Sequence, residues 1–291
     1  MKAFYHARAA VLAGAAATAL SGSFIKLSET SSSTSTFFRC LMAAPLLAYF
    51  AGREFRRRGL PSRRILASQI LAGAMLGADF ALWAQSVTLV GAGISTVVVN
   101  IQVVVVPVLT WAFLGIRPPL RFVAMLPLLL TGAAVAGGVT ERGDNGQLLL
   151  GTVFALAAGV TYGIYLFIIG RTGVAKRLSS QVFVSTATAG IVGAGVGSFW
   201  DPVDLTPSWS SLGWLAVLAL SSQILGWTLI SAALPRVSAD VGAALLLTQP
   251  VMAVGFAMLL VNERPSAAQM GGCAAVVAAV WFLTRSVTGR H

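Results

Sequence analysis

"GAGISTVVVNIQVVVVPVLTWAFLGIRPP" (residues 91–119) and "SADVGAALLLTQPVMAVGFAMLLVNERPS" (residues 238–266) decide how this chain is built. At a constant offset of 147 positions, Ala92 matches Ala239, Gln102 matches Gln249, Arg117 matches Arg264 and Pro118 matches Pro265. No charged residue interrupts the run from Ala92 to Leu114. That is long enough for a helix to cross a bilayer, which takes roughly 20 mostly apolar residues. Each stretch reads as a long apolar helix that ends in an Arg-Pro corner and gives way to another apolar helix. Two apolar helices resemble each other by composition alone, but a matched glutamine followed by a matched Arg-Pro is harder to obtain that way. The stretches are therefore read as two copies of one unit.

The rest of the chain has the same character. Of its 291 residues, 57% are hydrophobic and 10% charged, against about 25% charged in a soluble globular protein. Such a chain is solvated by lipid. The net charge of +11 does not point to nucleic acid, because the basic residues fall in short connectors between apolar runs, as membrane proteins place them. Cys40 and Cys273 lie inside apolar runs and read as small buried hydrophobes, with no disulfide and no metal site expected. The sequence lacks a metal-spaced His or Cys cluster, a glycine-rich nucleotide loop and a nucleophile elbow, so neither an enzyme nor a cofactor is expected. His6 and His291 lie near the termini and carry no argument.

Ten runs qualify or nearly qualify as membrane spans: about 8–27, 36–51, 65–87, 92–114, 121–139, 148–170, 181–199, 211–233, 239–261 and 267–284. Turn and breaker residues fill the connectors, as in "REFRRRGLPSRR" (53–64) and "DPVDLTPSWS" (201–210). "SETSSSTST" (28–36) reads by composition as an exposed loop. Gly159 with Gly163, and Gly193 with Gly197, have the spacing of tight helix–helix contact. With the N-terminus inside, most of the 20 basic residues fall on the inner face, including Arg53, Arg56, Arg57, Arg58, Arg63, Arg64, Arg117, Arg177 and Arg236. The acids Glu29, Glu141, Asp144, Asp201, Asp204 and Glu263 fall outside. This asymmetry predicts both termini in the cytoplasm. Lys26 and Arg39 come at the outer ends of their spans and are expected to snorkel to the headgroups, or to attract a carboxylate at an outer gate.

The duplication divides the chain into five helices, residues 1–139, and five more, residues 148–291. The first span also finds a counterpart in the sixth, with Gly22 against Gly159. An odd number of crossings forces the second copy to insert upside down, and the Arg-Pro corner accordingly falls inside in one half and outside in the other. Inverted repeats are a recurrent way to build a transporter around a site at the bilayer midplane. "MKAFYHARAAVLAGAAATALSGS" (1–23) has the parts of a cleaved signal peptide, but a whole first repeat needs that segment, so retention is expected.

At this point the chain resembles the drug/metabolite transporter superfamily, in its ten-helix branch with two EamA-type repeats. "STFFRCLMAAPLL" (35–47) resembles that family's Arg-Phe-type second helix, with Arg39 in the motif position. "ALWAQSVTLVGAG" (81–93) resembles its passage from third to fourth helix, and "TQPVMAVGFAMLLVNERPSAAQMGG" (248–272) its proline-containing ninth helix and Glu-Arg corner. The resemblance covers essentially the whole chain and is nearest to bacterial exporters of aromatic amino acids. It implies a multi-pass protein of the inner membrane that exports amino acids or similar metabolites by alternating access. A multidrug or other-metabolite exporter is the alternative, and a channel or membrane interaction protein the more distant one. Two features depart from the pattern: Ile116 stands where the second half has Glu263, and the first span lacks the buried glutamate of the small four-helix multidrug members.

Asp79 is the residue that asks for an explanation. It lies inside an otherwise apolar span, and Trp83 and Ser86 follow it on one helical face. A carboxylate at that depth should face the bundle interior or a wet cavity. There it would recognise a substrate amino group, couple to protons, or serve as a structural hydrogen-bonding group. Gln102 and Gln249 occupy equivalent positions near the middles of their spans, where inverted symmetry would bring them to a midplane site. Amides suit a zwitterion because each both donates and accepts; the alternative is that each satisfies backbone broken by Pro107 or Pro250. Asn100 is a lesser candidate. Tyr162, Tyr165 and Trp227 lie deep enough to wall a pocket, with Gln223 one turn before Trp227, while Trp200, Trp209 and Trp214 read as interfacial anchors. The expected partners are a small-molecule substrate and the lipid bilayer, with no nucleic acid, and the expected unit is a monomer.

Overall fold

A computed structural model gives the fold and describes residues 2–118, 120–136, 145–171, 177–233, 245, 246 and 248–285. Ten helical rods follow one another, and no strand occurs among the described residues. The first rod comprises Lys2–Ala19 and Ser21–Ser28, the second Ser32–Arg58 and the third Arg63–Val90. In the fourth, a 3-10 turn, Val99–Ile101, joins Ala92–Val98 to Gln102–Leu114; Leu120–Ala136 is the fifth. Asn145–Arg171 and Leu178–Gly197 form the sixth and seventh. The eighth runs Trp209–Leu218, a π segment Ala219–Gly226, and Trp227–Ala233; Thr248–Leu260 and Ala267–Arg285 complete the set. Six of these rods are long and apolar enough to cross a membrane, and three more are shorter apolar helices. Each expected span is met by one rod, although the expected start of the ninth lies outside the described residues. So do Glu141, Arg142, Asp144, Lys176, Arg236, Ala239, Arg290 and His291.

Side chains sort as lipid solvation requires. On the second rod Leu41, Leu46, Tyr49 and Phe50 are exposed. Ser32, Thr36, Arg39, Cys40, Ala43, Leu47 and Ala51, which recur at helical spacing, are buried. Large apolar groups face out and small ones face in. Small residues let rods approach closely, which matters where the surroundings are as apolar as the core.

The stretch 28–36 corrects its composition-based reading. Ser32 to Thr36 are fully or almost fully buried and open the second rod; they do not form an exposed loop. Ser31 caps that rod by accepting the Thr34 N–H at 3.2 Å, as N-cap serines do. Ser33 Oγ donates to the Asp201 carbonyl at 2.6 Å, and Thr34 Oγ1 accepts the Asp204 N–H at 2.9 Å. Hydroxyls this short find backbone partners within reach, so burial leaves them satisfied.

The third rod packs along the sixth and seventh, and the seventh along the second. The first lies on the eighth, the fifth on the tenth, the ninth on the start of the fourth, and the fourth on the sixth. Glycines set the closest of these approaches. A methyl group added at Gly193 would fall 2.7 Å from the Gly77 carbonyl oxygen, and one at Gly197 would fall 2.8 Å from Ser33 Cα. Gly159 and Gly163 press in the same way on Ile101 and Val105 of the fourth rod. Both glycine pairs therefore serve the tight contact that their spacing suggests.

Candidate functional site

Asp79 is 6% exposed and about 16 Å inside the C-terminal end of the third rod, taking 1.5 Å per residue back from Val90. Among the described residues its carboxylate makes no hydrogen bond and no ion pair. Trp83 and Ser86 are buried on the same face, as expected. Ser86 shares a 2.7 Å hydrogen bond with Ser95, so it is satisfied within the protein. Trp83 packs with Phe24, Leu215 and Leu218, yet its buried indole N–H has no partner.

The charge that Asp79 meets comes from Arg39. Arg39 was expected to snorkel to the headgroups, and the structure corrects this: it is 3% exposed. The reason lies in its helical face, which carries Thr36, Ala43 and Leu47 and packs inward. Its guanidinium lies 4.0 Å above the Phe80 ring, a favourable cation–π arrangement. Nη2 donates to Ser222 Oγ at 3.3 Å and to Gln223 Oε1 at 3.2 Å, while the buried Nε has no partner. The π segment of the eighth rod presents Ser222 and Gln223 to it. Gln223 Nε2 donates to Thr186 Oγ1 at 3.1 Å, which fixes the amide so that its oxygen faces Arg39.

On the sixth rod the rings of Tyr162 and Tyr165 stack at 5.7 Å and 16°, and both lie within the electrostatic reach of Asp79. Tyr165 is buried and Tyr162 half-buried. The cluster is thus one acid, one guanidinium, two phenols and an amide, drawn from the second, third, sixth and eighth rods. Such a set can pair with a positive and a negative group at once.

The other expected residues are placed less centrally. Gln249 Nε2 donates to Thr18 Oγ1 at 3.0 Å, tying the ninth rod to the first. Gln102 begins the helix after the 3-10 turn, and its buried Oε1 has no partner. Among the described residues no hydrogen bond joins the two, and neither donates to backbone freed by Pro107 or Pro250. Trp227 is half-buried at the end of the π segment and makes no ring contact or hydrogen bond among the described residues. Asn100 turns back onto the Thr96 carbonyl at 2.8 Å.

Near the Val90 end of the third rod, Lys26 also departs from its expected snorkelling. Its ammonium pairs with Glu263 at 2.9 Å. The Glu263 carboxylate also accepts the Ala92 N–H at 2.7 Å and the Gly93 N–H at 3.3 Å. Gly91, at φ +92°, turns the chain there, and a methyl group on it would meet that carboxylate at 2.8 Å. The Glu-Arg corner therefore clasps three rods, whereas the matching Ile116 is 60% exposed. Among the expected anchors, Trp209 is 89% exposed. Trp200 donates to Ser32 Oγ at 2.6 Å and Trp214 stacks on Phe24 at 5.8 Å, so these two act in packing.

Phe80 and Ser222 are the residues that sequence reasoning left out of the cluster; it named Gln223 only beside Trp227, and Arg39 only as a snorkelling or outer-gate cation. The legible signal was the run of small residues on the face of Arg39.

The sequence model of a family described as the EamA-like transporter family matches residues 7–138 and, a second time, residues 149–285. No curated protein matches the sequence. A solved crystal structure aligns over 97% of this chain and 99% of its own, with a TM-score of 0.57 at 18% identity. That likeness concerns the fold.

Proposed function

The chain belongs to the EamA-like transporter family, and on that premise we propose that it exports amino acids with aromatic or large apolar side chains by alternating access. Membership makes it a multi-pass membrane transporter of small molecules. In the proposed cycle two inverted five-helix repeats, residues 1–139 and 148–291, rock about a central site in a bacterial-type inner membrane, with both termini cytoplasmic. The pattern of contacts supports that pairing. Second packs on seventh, fourth on ninth and fifth on tenth, which are the equivalents under such a repeat. The third-on-sixth contact has its counterpart in the eighth-on-first.

The observation that carries the reading is Asp79: a buried carboxylate whose hydrogen-bonding capacity no described residue takes up. A substrate ammonium group would satisfy it. Trp83 and Tyr162 are proposed as walls, with Trp227, Gln102 and Gln249 as further contacts along the path. A multidrug carrier of organic cations is the second reading, and the Arg39 charge beside Asp79 weighs against it.

The test is counterflow of labelled aromatic amino acids into proteoliposomes. The wild type should exchange and saturate, and Asp79→Asn should fall by about tenfold or more, the worth of one charge-assisted hydrogen bond. Exchange of cationic drugs with no response to amino acids would replace the substrate assignment. Flux that neither saturates nor exchanges would mark a pore.

A further inference from the structure

We infer that Arg39 is the carboxylate-binding group of the substrate site, set against Asp79 so that the two hold the opposite ends of a zwitterion; this deepens, and rests on, the amino-acid reading above. Arg39 lies about 10 Å along the second rod from its start at Ser32, beyond easy reach of headgroups. It is a buried cation without a contacting anion, since Lys26–Glu263 is the one ion pair among the described residues. Its protein partners are neutral, at 3.2 and 3.3 Å, and both draw on the same nitrogen. Nε stays unpartnered in the interior.

A guanidinium has five N–H donors in a planar fork suited to a carboxylate. Here most of that capacity is unused, although a buried donor left unpaired is costly. The residues around it hold it still: Phe80 below the plane, and Gln223 in front, itself fixed by Thr186. A rigid, under-used fork is what an anion site requires. Asp79, on the residue preceding Phe80, supplies the opposite charge without closing an ion pair on Arg39. A ligand carrying both an ammonium and a carboxylate then adds two charges that alternate with the two already present, and the filled site is neutral. The stacked Tyr162 and Tyr165, within the electrostatic reach of the acid, offer the side chain of such a ligand an aromatic surface.

The experiment is calorimetric titration of the full-length purified protein with three related probes: phenylalanine, phenethylamine, which lacks the carboxylate, and 3-phenylpropionate, which lacks the amine. Arg39→Gln should weaken phenylalanine and 3-phenylpropionate by roughly 10- to 100-fold and leave phenethylamine within about twofold. Asp79→Asn should do the reverse for the two single-ended probes. Arg39→Lys, which keeps the charge but loses the fork, gives an intermediate loss confined to the same two probes and carries the test if the glutamine variant does not fold. Equal weakening of all three by either Arg39 variant, or no effect on any, overturns the inference, because an arginine that merely supports the bundle has no reason to distinguish the ends of a ligand. If the wild type binds 3-phenylpropionate but neither amine-bearing probe, the amino-acid reading falls while Arg39→Gln still decides the anion site. If it binds none of the three, both fall.

Discussion

Replacing Glu263 by alanine removes three partners at once, and their geometry ranks them. Its carboxylate side chain is 9% exposed and accepts two backbone N–H groups, at 2.7 and 3.3 Å. Hydrogen bonds to a charged group contribute about 1.5–3 kcal/mol each, and the longer one belongs at the bottom of that range. The third partner, Lys26, has a side chain 37% exposed. Solvent screening reduces such a pair to about 0.2–1 kcal/mol. Glu263→Ala should therefore cost about 3–5.5 kcal/mol, and Lys26→Met less than about 1 kcal/mol. Glu263→Gln, which keeps one carbonyl oxygen for the Ala92 N–H, should fall between them. Unfolding in mixed dodecylmaltoside–SDS micelles, followed by tryptophan fluorescence, gives the three free energies. Salt at about 1 M should remove the lysine effect and spare most of the glutamate effect. If Lys26→Met proved as costly as Glu263→Ala, or salt erased both, the corner would be held by the ion pair and the backbone account would fail.

Gly193→Ala should destabilise by about 1–3 kcal/mol, because the added methyl meets the Gly77 carbonyl and the backbone there has no free direction to yield. Gly195→Ala, which meets nothing within 4 Å, should be neutral or slightly stabilising in the same unfolding measurement. Gln249→Leu gives up one hydrogen bond to Thr18 and should cost about 1 kcal/mol. A fall in counterflow well beyond that small loss of folded protein would place Gln249 on the substrate path, and unchanged counterflow would make it a tie between the first and ninth rods.

The ten rods were legible because bilayer thickness fixes the length of an apolar run, and the chain has few charges to blur the ends. The second rod shows where that logic stops. Its start is written in serine and threonine, which composition assigns to water, yet those hydroxyls are satisfied by the backbone of the loop at 201–204. Arg39 was misplaced for a related reason. Position along a rod suggests snorkelling, but direction around the rod decides, and its face is lined by Thr36, Ala43 and Leu47. Asp79 and Tyr162 stand out in the sequence because polarity inside an apolar run is visible in one dimension. The partnership of Asp79 with Arg39 joins two rods, and the pattern within either rod does not specify it. The π segment was invisible too: the one glycine of "ALSSQILG" (219–226) is among 30 in the chain and announces no change of winding.

That segment also constrains how the eighth rod can vary in length. A π turn is a helix that holds one residue more than its α register would, so the rod behaves as though a single codon had been inserted and absorbed without a loop. Leu215 and Leu218 before it are seated among Phe24 and Trp83, and Ile230 after it is seated against Gly14. Removing one residue between Ala219 and Gly226 would rewind the helix and turn one flank against the other by about 100°. Only one flank could then keep its seat, and Gln223 would lose either Arg39 or Thr186. Within a connector a one-residue deletion can be taken up locally. Here it would be read as a rotation at the centre of the protein, which predicts that this rod tolerates substitution far better than any change in length.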